Sequence, residues 1–143
     1  DYRVYTLLGD GEIQEGQVWE AAMFAGFRKL DNLVVIVDNN GLQIDGPVDQ
    51  VCSPYPINEK FKAFNFHVGD LADGNDMDQI AAAFAEARNT KGQPTAIIAH
   101  TVKGKGVSFM ENQVGWNGKA PNDEEYAIAM EDLKKEGEAL CQK

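Results

Sequence analysis

The chain has 143 residues, of which 43% are hydrophobic and 25% are charged, and this composition is ordinary for one soluble globular domain. Its formal net charge of −10 argues against a nucleic-acid partner or an anionic membrane surface, because no basic patch is present to neutralise phosphates. No apolar run approaches the roughly 20 residues that a membrane-spanning helix needs. Cys52 and Cys141 lack metal-type spacing, so we expect reduced thiols and a cytoplasmic protein.

The first predicted elements are two apolar strands that flank a helix. The strands cover residues 4–8 and 33–37, and the helix extends from residue 17 to about residue 30. A strand, a crossover helix and a second strand form a βαβ unit, in which the two strands run parallel. Both strands should therefore end at the same edge of one sheet.

The later elements continue the alternation of helices and strands. The pattern predicts a loop at 41–58, a short helix at 59–64, an extended segment at 65–68, a turn at 70–76, a helix after Asp76, a strand at 95–99, a glycine-rich loop from about 103, and a terminal helix that Asn122 or Asp123 caps and that ends near 140. We predict an α/β fold, a doubly wound parallel sheet with helices on both faces, as a single domain over residues 1–143.

Each strand of the βαβ unit is followed by a short polar motif. Gly9-Asp10-Gly11 follows the first strand and Asp38-Asn39-Asn40 the second, so Asp10 and Asn40 should emerge side by side at the edge where α/β proteins bind ligands. Carboxylate and amide oxygens suit Mg²⁺, which takes further oxygens from phosphates. Each motif alone also has the composition of an ordinary turn, and Asn40-Gly41 alone is a hairpin signal, but residues 42–47 are too short to pair with the buried strand before them.

The same motifs carry a resemblance to transketolases, a family of thiamine-diphosphate enzymes. Gly-Asp-Gly followed by about thirty residues and Asn-Asn is typical of the wider superfamily. The segments that resemble transketolase specifically are Gly9–Gly16 with Trp19-Glu20-Ala21, Ile44-Asp45-Gly46, Lys103–Gly106 and Gly118–Pro121. The resemblance covers nearly the whole chain and favours the amino-terminal, diphosphate-binding subunit of a split bacterial transketolase, with some of the domain's amino-terminal part absent.

The resemblance implies a set of cofactor and metal ligands. Asp10, Asn40 and the backbone carbonyl of Leu42 would hold Mg²⁺, or Ca²⁺ or Mn²⁺ in its place, and Gly9 and Gly11 would turn sharply and contact the diphosphate of thiamine diphosphate. Ile44 is expected to pack against the cofactor, with core filling as the alternative. Lys103 would lie in the loop that passes over the cofactor.

Other residues of the resemblance concern catalysis and assembly. Glu15 and Glu20 match glutamates at the interface between subunits, where Glu15 would join a shared proton network; its alternative role is a favourable contact with the helix dipole. We expect the small-residue face of Ala21, Ala22 and Ala25 to meet a partner subunit. Asn117 stands where the family has a His that contacts diphosphate and substrate, and it is a tentative catalytic residue.

Two histidines lie outside these motifs. His67 follows a phenylalanine-rich segment and is expected to be structural. His100 ends the strand at 95–99, at the edge expected to hold the cofactor, and an imidazole there could handle protons. It matches no catalytic position of the family.

The implied activity is ketol transfer, in which a two-carbon unit moves from a ketose phosphate to an aldose phosphate, as in the pentose phosphate pathway. The expected partner is a carboxy-terminal transketolase subunit, in a heterotetramer or equivalent dimer of pairs, and the glutamate that activates the cofactor would lie on that partner. The alternatives are 1-deoxyxylulose-5-phosphate synthase, the α subunit of a 2-oxo-acid dehydrogenase, a transketolase for a sulfosugar or branched pentulose, and a catalytically silent assembly module.

Overall fold

The computed structural model describes residues 2–141, which form the predicted alternation of helices and strands. The elements in chain order are β1 (Val4–Gly9), α1 (Gly16–Arg28), β2 (Leu33–Asn39), β3 (Leu42–Gln43), β4 (Gly46–Pro47), α2 (Val48–Val51), α3 (Ile57–Ala63), β5 (His67–Leu71), α4 (Met77–Asn89), β6 (Thr95–His100) and α5 (Asp123–Cys141). Two single turns of 3₁₀ helix, Glu12–Gln14 and Val114–Trp116, lie in the connections.

Four of the strands form one parallel sheet in the order β1-β2-β6-β5. Gly9 lies opposite Asp38, and Asn39 lies opposite His100, so the carboxyl ends of β1, β2 and β6 meet at one edge. In the part of the chain that the structure describes, β1 pairs with β2 alone, and its Tyr5 and Leu7 side chains are exposed. The topology confirms the predicted α/β fold.

Helices cover both faces of the sheet, as the alternation of strands and helices predicts. Successive residues of β2 and β6 point to opposite faces, so the sheet supplies two separate cores. The core under α1 and α3 contains Ala22, Ala25, Val35, Val37, Phe61 and Ile98. The core under α4 contains Val34, Leu71, Ala83, Ala87 and Ile97.

Helix α1 lies directly on the sheet because its inward face is made of small residues. Ala22 and Ala25 are buried in the chain's own core, so the prediction that they meet a partner subunit is wrong. Gly26 is also required here, since a Cβ atom on it would lie 1.7 Å from the carbonyl oxygen of Phe64. The outward face of α1 instead carries Met23, Phe24 and Phe27, whose exposed fractions are 57%, 61% and 80%.

Two helices begin at polar caps that the sequence predicts. The Asp76 carboxylate accepts hydrogen bonds from the amides of residues 78 and 79 at the start of α4. At the start of α5, the backbone N–H of Glu125 donates to Asn122 Oδ1 over 2.9 Å, and the backbone N–H of Asn122 donates to Glu125 Oε2 over 2.8 Å. This reciprocal pair is a capping box.

The segment from Gly41 to Asn58 contains more regular structure than predicted. Leu42 and Gln43 pair antiparallel with Gly46 and Pro47, so a two-residue hairpin lies inside the predicted loop, followed by the single turn of α2. Helix α3 begins at residue 57 instead of 59, and β5 extends to residue 71, into the predicted turn at 70–76.

Two further features concern membrane spans and the cysteines. Among residues 2–141, no helix is both long enough and apolar enough to cross a lipid bilayer. Cys52 and Cys141 are free thiols at the surface.

Candidate metal and cofactor site

The two polar motifs meet at the carboxyl ends of β1 and β2. The Asp10 amide donates to the Asp38 carbonyl over 3.1 Å, which carries the β1–β2 pairing one residue beyond the strands. The Gly41 amide donates to Asp10 Oδ2 over 2.6 Å. The turn after β1 and the turn after β2 are therefore joined through the Asp10 side chain.

Asp10 is a buried carboxylate, only 1% exposed. Its Oδ1 accepts a 2.8 Å hydrogen bond from the Gly11 amide. Burial raises the pKa of Asp10 above its ordinary value of 3.8, the amides of Gly41 and Gly11 oppose this rise, and the charge of Asp38 adds to it. No ion pair to Asp10 is found within the described residues, so a bound cation would relieve the cost of burying this charge.

Asn40 and Leu42 lie in a tight turn beside this carboxylate. Asn40 Oδ1 accepts a 3.0 Å hydrogen bond from the Leu42 amide, and Gly41 between them has φ +76°, a conformation that favours glycine. Residues 2–141 contain no group of three or more His, Cys, Asp or Glu side chains that could hold a metal ion. A metal at Asp10 would therefore depend on amide and carbonyl oxygens and on a bound phosphate, as Mg²⁺ commonly does.

An open cavity of about 430 Å³ lies over these turns. It is lined by all the predicted cofactor and metal residues and by Asn117: Gly9, Asp10, Gly11, Asn40, Leu42, Ile44, Lys103 and Asn117. The cavity thus brings together residues from four separate segments of the chain. A second cavity of about 410 Å³, under α1, has a mostly apolar lining.

Four further residues line the cavity and were missed by the sequence reasoning: Glu12, Asp38, Gln43 and Asp45. Glu12 Oε2 accepts a 3.0 Å hydrogen bond from the Gly9 amide, and Asp38 Oδ1 accepts one from the Thr101 hydroxyl. Glu12, Asp38 and Asp45 lie within the motifs of the sequence analysis and Gln43 lies between Leu42 and Ile44, but the motifs assigned none of the four a role at the site. The lining is strongly acidic, with Lys103 as its one cation among the described residues.

The predicted reason for Gly9 and Gly11 is wrong in one respect. Gly11 has φ −71° and ψ −35°, which any residue adopts, and Gly9 does not have a positive φ, so neither is needed for a sharp turn. Gly11 is needed because a Cβ atom on it would lie 2.9 Å from Cβ of Gln43. Close packing of the 41–47 segment against the first turn is therefore what requires glycine there.

Ile44, Lys103 and Asn117 approach the cavity from two loops. Ile44 is 74% exposed, so its alternative role as core filling is wrong. The Lys103 carbonyl accepts a 2.9 Å hydrogen bond from the Asn112 amide, which closes the loop between residues 103 and 112. Asn117 follows the Val114–Trp116 turn, and its backbone N–H donates to the Val114 carbonyl over 3.0 Å.

The two predicted interface glutamates lie outside the cavity lining. Glu15 immediately precedes α1, where a carboxylate interacts favourably with the helix dipole, and its Oε2 accepts a 2.8 Å hydrogen bond from Gln17. Glu20 is exposed on α1. Both remain predictions for an interface.

The chain is similar to transketolases in sequence and in fold. The family described as "Transketolase, thiamine diphosphate binding domain" matches residues 1–138. The chain is 42% identical over 134 residues to a 6-deoxy-6-sulfo-D-fructose transketolase subunit of a Clostridium species, covering 94% of this chain and 48% of that protein. It is 40% identical over 140 residues to an apulose-4-phosphate transketolase subunit of Phocaeicola vulgatus, covering 98% and 50%.

The chain therefore spans about half the length of these curated relatives. Among solved structures, transketolase from Campylobacter jejuni superposes with a TM-score of 0.87 at 33% identity, over 94% of this chain and 21% of that one. A family match over nearly all of the residues and a shared fold lead to one conclusion. The chain belongs to the transketolase thiamine diphosphate binding domain family.

Proposed function

We infer that the chain is the diphosphate-binding subunit of a transketolase that requires thiamine diphosphate and Mg²⁺ and acts together with a carboxy-terminal partner. The observation that carries this proposal is that Asn40 and Leu42 lie beside Asp10 at one edge of the sheet. The Asp10 carboxylate is buried and has no cation partner among the described residues.

The donor set fits a metal-bound diphosphate. In the proposal, Asp10 and Asn40 supply a carboxylate and an amide oxygen, Leu42 supplies its carbonyl, and the diphosphate supplies further oxygens. The cavity lining alone repels an anion, because its carboxylates outnumber its single lysine. Cofactor binding should therefore depend strictly on the metal.

The other lining residues would bind and orient the cofactor. The Gly9 amide donates to Glu12 Oε2, and in the proposal it would donate to a phosphate oxygen once that carboxylate moves aside. Ile44 offers an exposed apolar surface, and Lys103 offers a positive charge. Thiamine diphosphate, when bound, supplies the carbanion chemistry for ketol transfer, and the protein supplies position and electrostatics.

The partner is proposed to cover the outward face of α1. Met23, Phe24 and Phe27 form a contiguous exposed apolar face at helical spacing, on the helix that begins beside Glu15 and carries Glu20. Both curated relatives described above are named as subunits of a transketolase, which supports a separate partner for this chain. We propose a heterotetramer or equivalent dimer of pairs.

A transketolase specialised for an unusual sugar is the second candidate. The relatives described above are named for a sulfosugar and for apulose 4-phosphate. Asn117 also supports specialisation for an unusual sugar. It lines the cavity where the family has a His, and its side-chain amide cannot gain a proton near neutral pH as an imidazole can.

Calorimetry on the assembled enzyme tests the proposal. Thiamine diphosphate is titrated into the complex of this chain with a carboxy-terminal transketolase subunit, with Mg²⁺ present and after chelation with EDTA. We expect saturable binding that EDTA abolishes, followed by turnover in a screen of ketose donors and aldose acceptors that includes sulfosugars. Absence of binding with Mg²⁺ would favour the silent assembly module.

A further inference from the structure

Five polar side chains form a continuous hydrogen-bonded chain along the carboxyl edge of the sheet. Tyr55 Oη donates to Asn39 Oδ1 over 2.8 Å, and Asn39 Nδ2 lies 3.0 Å from His100 Nδ1. His100 Nε2 lies 2.8 Å from Asp70 Oδ1, and Asn58 Nδ2 donates to Asp70 Oδ2 over 3.2 Å. These residues, called the edge network below, connect β5, β6 and β2 to Tyr55, just before α3, and to Asn58, in the first turn of α3.

The direction of each bond in the edge network follows from its neighbours. Partial burial, and then the charges of Asp10 and Asp49, raise the pKa of Tyr55 above its ordinary value of 10.0, so its hydroxyl stays protonated and donates. Asn39 therefore presents its oxygen to Tyr55 and its amide N–H to His100 Nδ1, which accepts. His100 Nε2 carries the proton and donates to the Asp70 carboxylate.

Asn39 is the buried member of the network, with only 6% of its surface exposed. A buried side-chain amide that loses a partner incurs a desolvation penalty, so its bonds to Tyr55 and His100 are both needed. Asn39 also directly precedes Asn40, the predicted metal ligand. The network therefore fixes the residue next to the ligand.

The two end members of the edge network belong to one short stretch of the chain. Tyr55 and Asn58 lie only three residues apart, and they bind opposite ends of the Asn39–His100–Asp70 row. The segment they hold is the end of the 41–58 connection, whose beginning is fixed when the Gly41 amide donates to Asp10. Its middle is fixed when Gln14 Nε2 donates to the Cys52 carbonyl over 2.6 Å.

We propose that His100 is a positioning residue that, through Asn39 and Tyr55, holds the 41–58 connection in the shape that presents the Asn40 and Leu42 oxygens beside Asp10. Within the described residues, His100 does not line the cavity, and its side chain is hydrogen-bonded to Asn39 and Asp70 and not to a predicted ligand. It acts by accepting from Asn39 on one side and donating to Asp70 on the other. A side chain at position 100 that can both accept from Asn39 and donate to Asp70 should therefore preserve this role.

The proposal is tested with four single variants of the chain, each assembled with its partner. His100→Leu removes both hydrogen bonds, and His100→Gln restores an acceptor and a donor at similar reach. Tyr55→Phe removes only a hydroxyl. The matched control is His67→Leu, because His67 forms a comparable 2.9 Å bond to Glu86 at the opposite end of β5.

Two readouts are measured for each variant. The first is Mg²⁺-dependent thiamine diphosphate affinity, which rests on the proposed function. The second is amide hydrogen exchange of peptides covering residues 41–56 in the ligand-free protein, which does not depend on any ligand. Peptides from α4 report whether the fold is intact.

We expect His100→Leu and Tyr55→Phe to weaken cofactor affinity about tenfold, at the lower end of the loss seen when hydrogen-bond partners around a metal site are removed, because both residues act on Asn40 only through Asn39. Both should speed exchange at 41–56 and leave α4 unchanged, whereas His100→Gln and His67→Leu should match the wild type in both readouts. Combining His100→Leu with Tyr55→Phe should add little to either single change, because the two bonds belong to one network.

The outcomes separate the two proposals. Wild-type protein that binds no cofactor would overturn the proposed function, while faster exchange at 41–56 in His100→Leu would still support the positioning role. Unchanged exchange in His100→Leu, or a His100→Gln variant as impaired as His100→Leu, would overturn the positioning role whatever the cofactor data show.

Discussion

Gly41 donates its backbone N–H to Asp10 Oδ2 across 2.6 Å, although the two residues lie 31 positions apart. This bond joins the ends of two neighbouring parallel strands, and it keeps the Asp10 carboxylate in place within the cavity wall. The Asp10 side chain is therefore the first place to test the proposed metal site.

Asp10→Asn should remove Mg²⁺-dependent cofactor binding in the assembled enzyme, because it deletes the only carboxylate among the proposed ligands. The matched control is Asp45→Asn, which removes one negative charge from the same cavity lining without touching a proposed ligand. Calorimetry with Mg²⁺ should show binding at close to wild-type affinity for the control alone. Unchanged affinity in Asp10→Asn would falsify the metal assignment.

Asp10 should also make the ligand-free protein less stable as the pH rises. Because burial raises its folded-state pKa above 3.8, the contribution of Asp10 to stability is fully present below pH 3.8 and is lost as the pH rises through the folded-state value. The difference in unfolding free energy between wild type and Asp10→Asn isolates this effect, since all other carboxylates are shared. Urea unfolding at a series of pH values should show that difference falling with pH; a difference that is flat or rising contradicts the prediction.

Asn117→His should raise ketol transfer from phosphorylated sugars and leave metal binding intact. An imidazole at this point of the cavity lining can donate to a phosphate and can change its charge near neutral pH, unlike an amide. Gln113→His places the same group on the same loop outside the lining and serves as the control. If steady-state kinetics give equal kcat and KM for Asn117→His and wild type, the role assigned to position 117 is wrong.

The 143-residue polypeptide should show no transketolase activity by itself, whatever its cofactor affinity. The resemblance implies that the activating glutamate would lie on a carboxy-terminal partner, and we propose that this partner binds the outward face of α1. An assay of the purified chain, beside one of its mixture with the partner, tests both points. Robust turnover by the chain alone would contradict the split-enzyme proposal.

A surface variant sharpens that test. Phe27→Lys should weaken partner binding in analytical ultracentrifugation without loss of thermal stability, because the Phe27 side chain is 80% exposed. Equal partner affinity for this variant and wild type would place the interface elsewhere.

Gly26→Ala should destabilise the fold by about 3 kcal/mol, at the upper end of the usual cost of overpacking. The added methyl group would lie 1.7 Å from the Phe64 carbonyl oxygen, so α1 would have to move away from the chain segment after α3. Gly16→Ala in the same helix meets no atom within 4 Å and is the control, with stability equal to or slightly above that of the wild type. Thermal unfolding compares the two, and a Gly26→Ala midpoint equal to that of Gly16→Ala would refute the packing account.

The sequence predicted that Asp10 and Asn40 meet, because topology alone decides that part of the geometry. Parallel strands joined by a crossover helix must end at one edge, so Asp10 and Asn40 could be brought together without knowledge of any side-chain contact. The caps at Asp76 and Asn122 were predictable for a similar reason, since they depend only on neighbouring amides.

Other features depend on information that the sequence pattern does not carry. Small residues such as Ala22 and Ala25 fit an interface between subunits and a tightly packed sheet equally well, and only the fold distinguishes the two. The bond between Asn39 and His100 depends on the register of β2 against β6, which no spacing along the chain reveals. Pairing of two residues in β3 and β4 is too short to leave a periodic signal.

The open edge of β1 has a consequence for handling the protein. In the described part of the chain, β1 leaves the backbone groups of one side without a neighbouring strand, and the exposed Tyr5 and Leu7 lie beside them. Such an edge is a template for adding a strand from another molecule. The net charge of −10 opposes that encounter by mutual repulsion, and salt screens such repulsion. Self-association of the isolated chain should therefore increase with ionic strength, so buffers of low salt suit its purification.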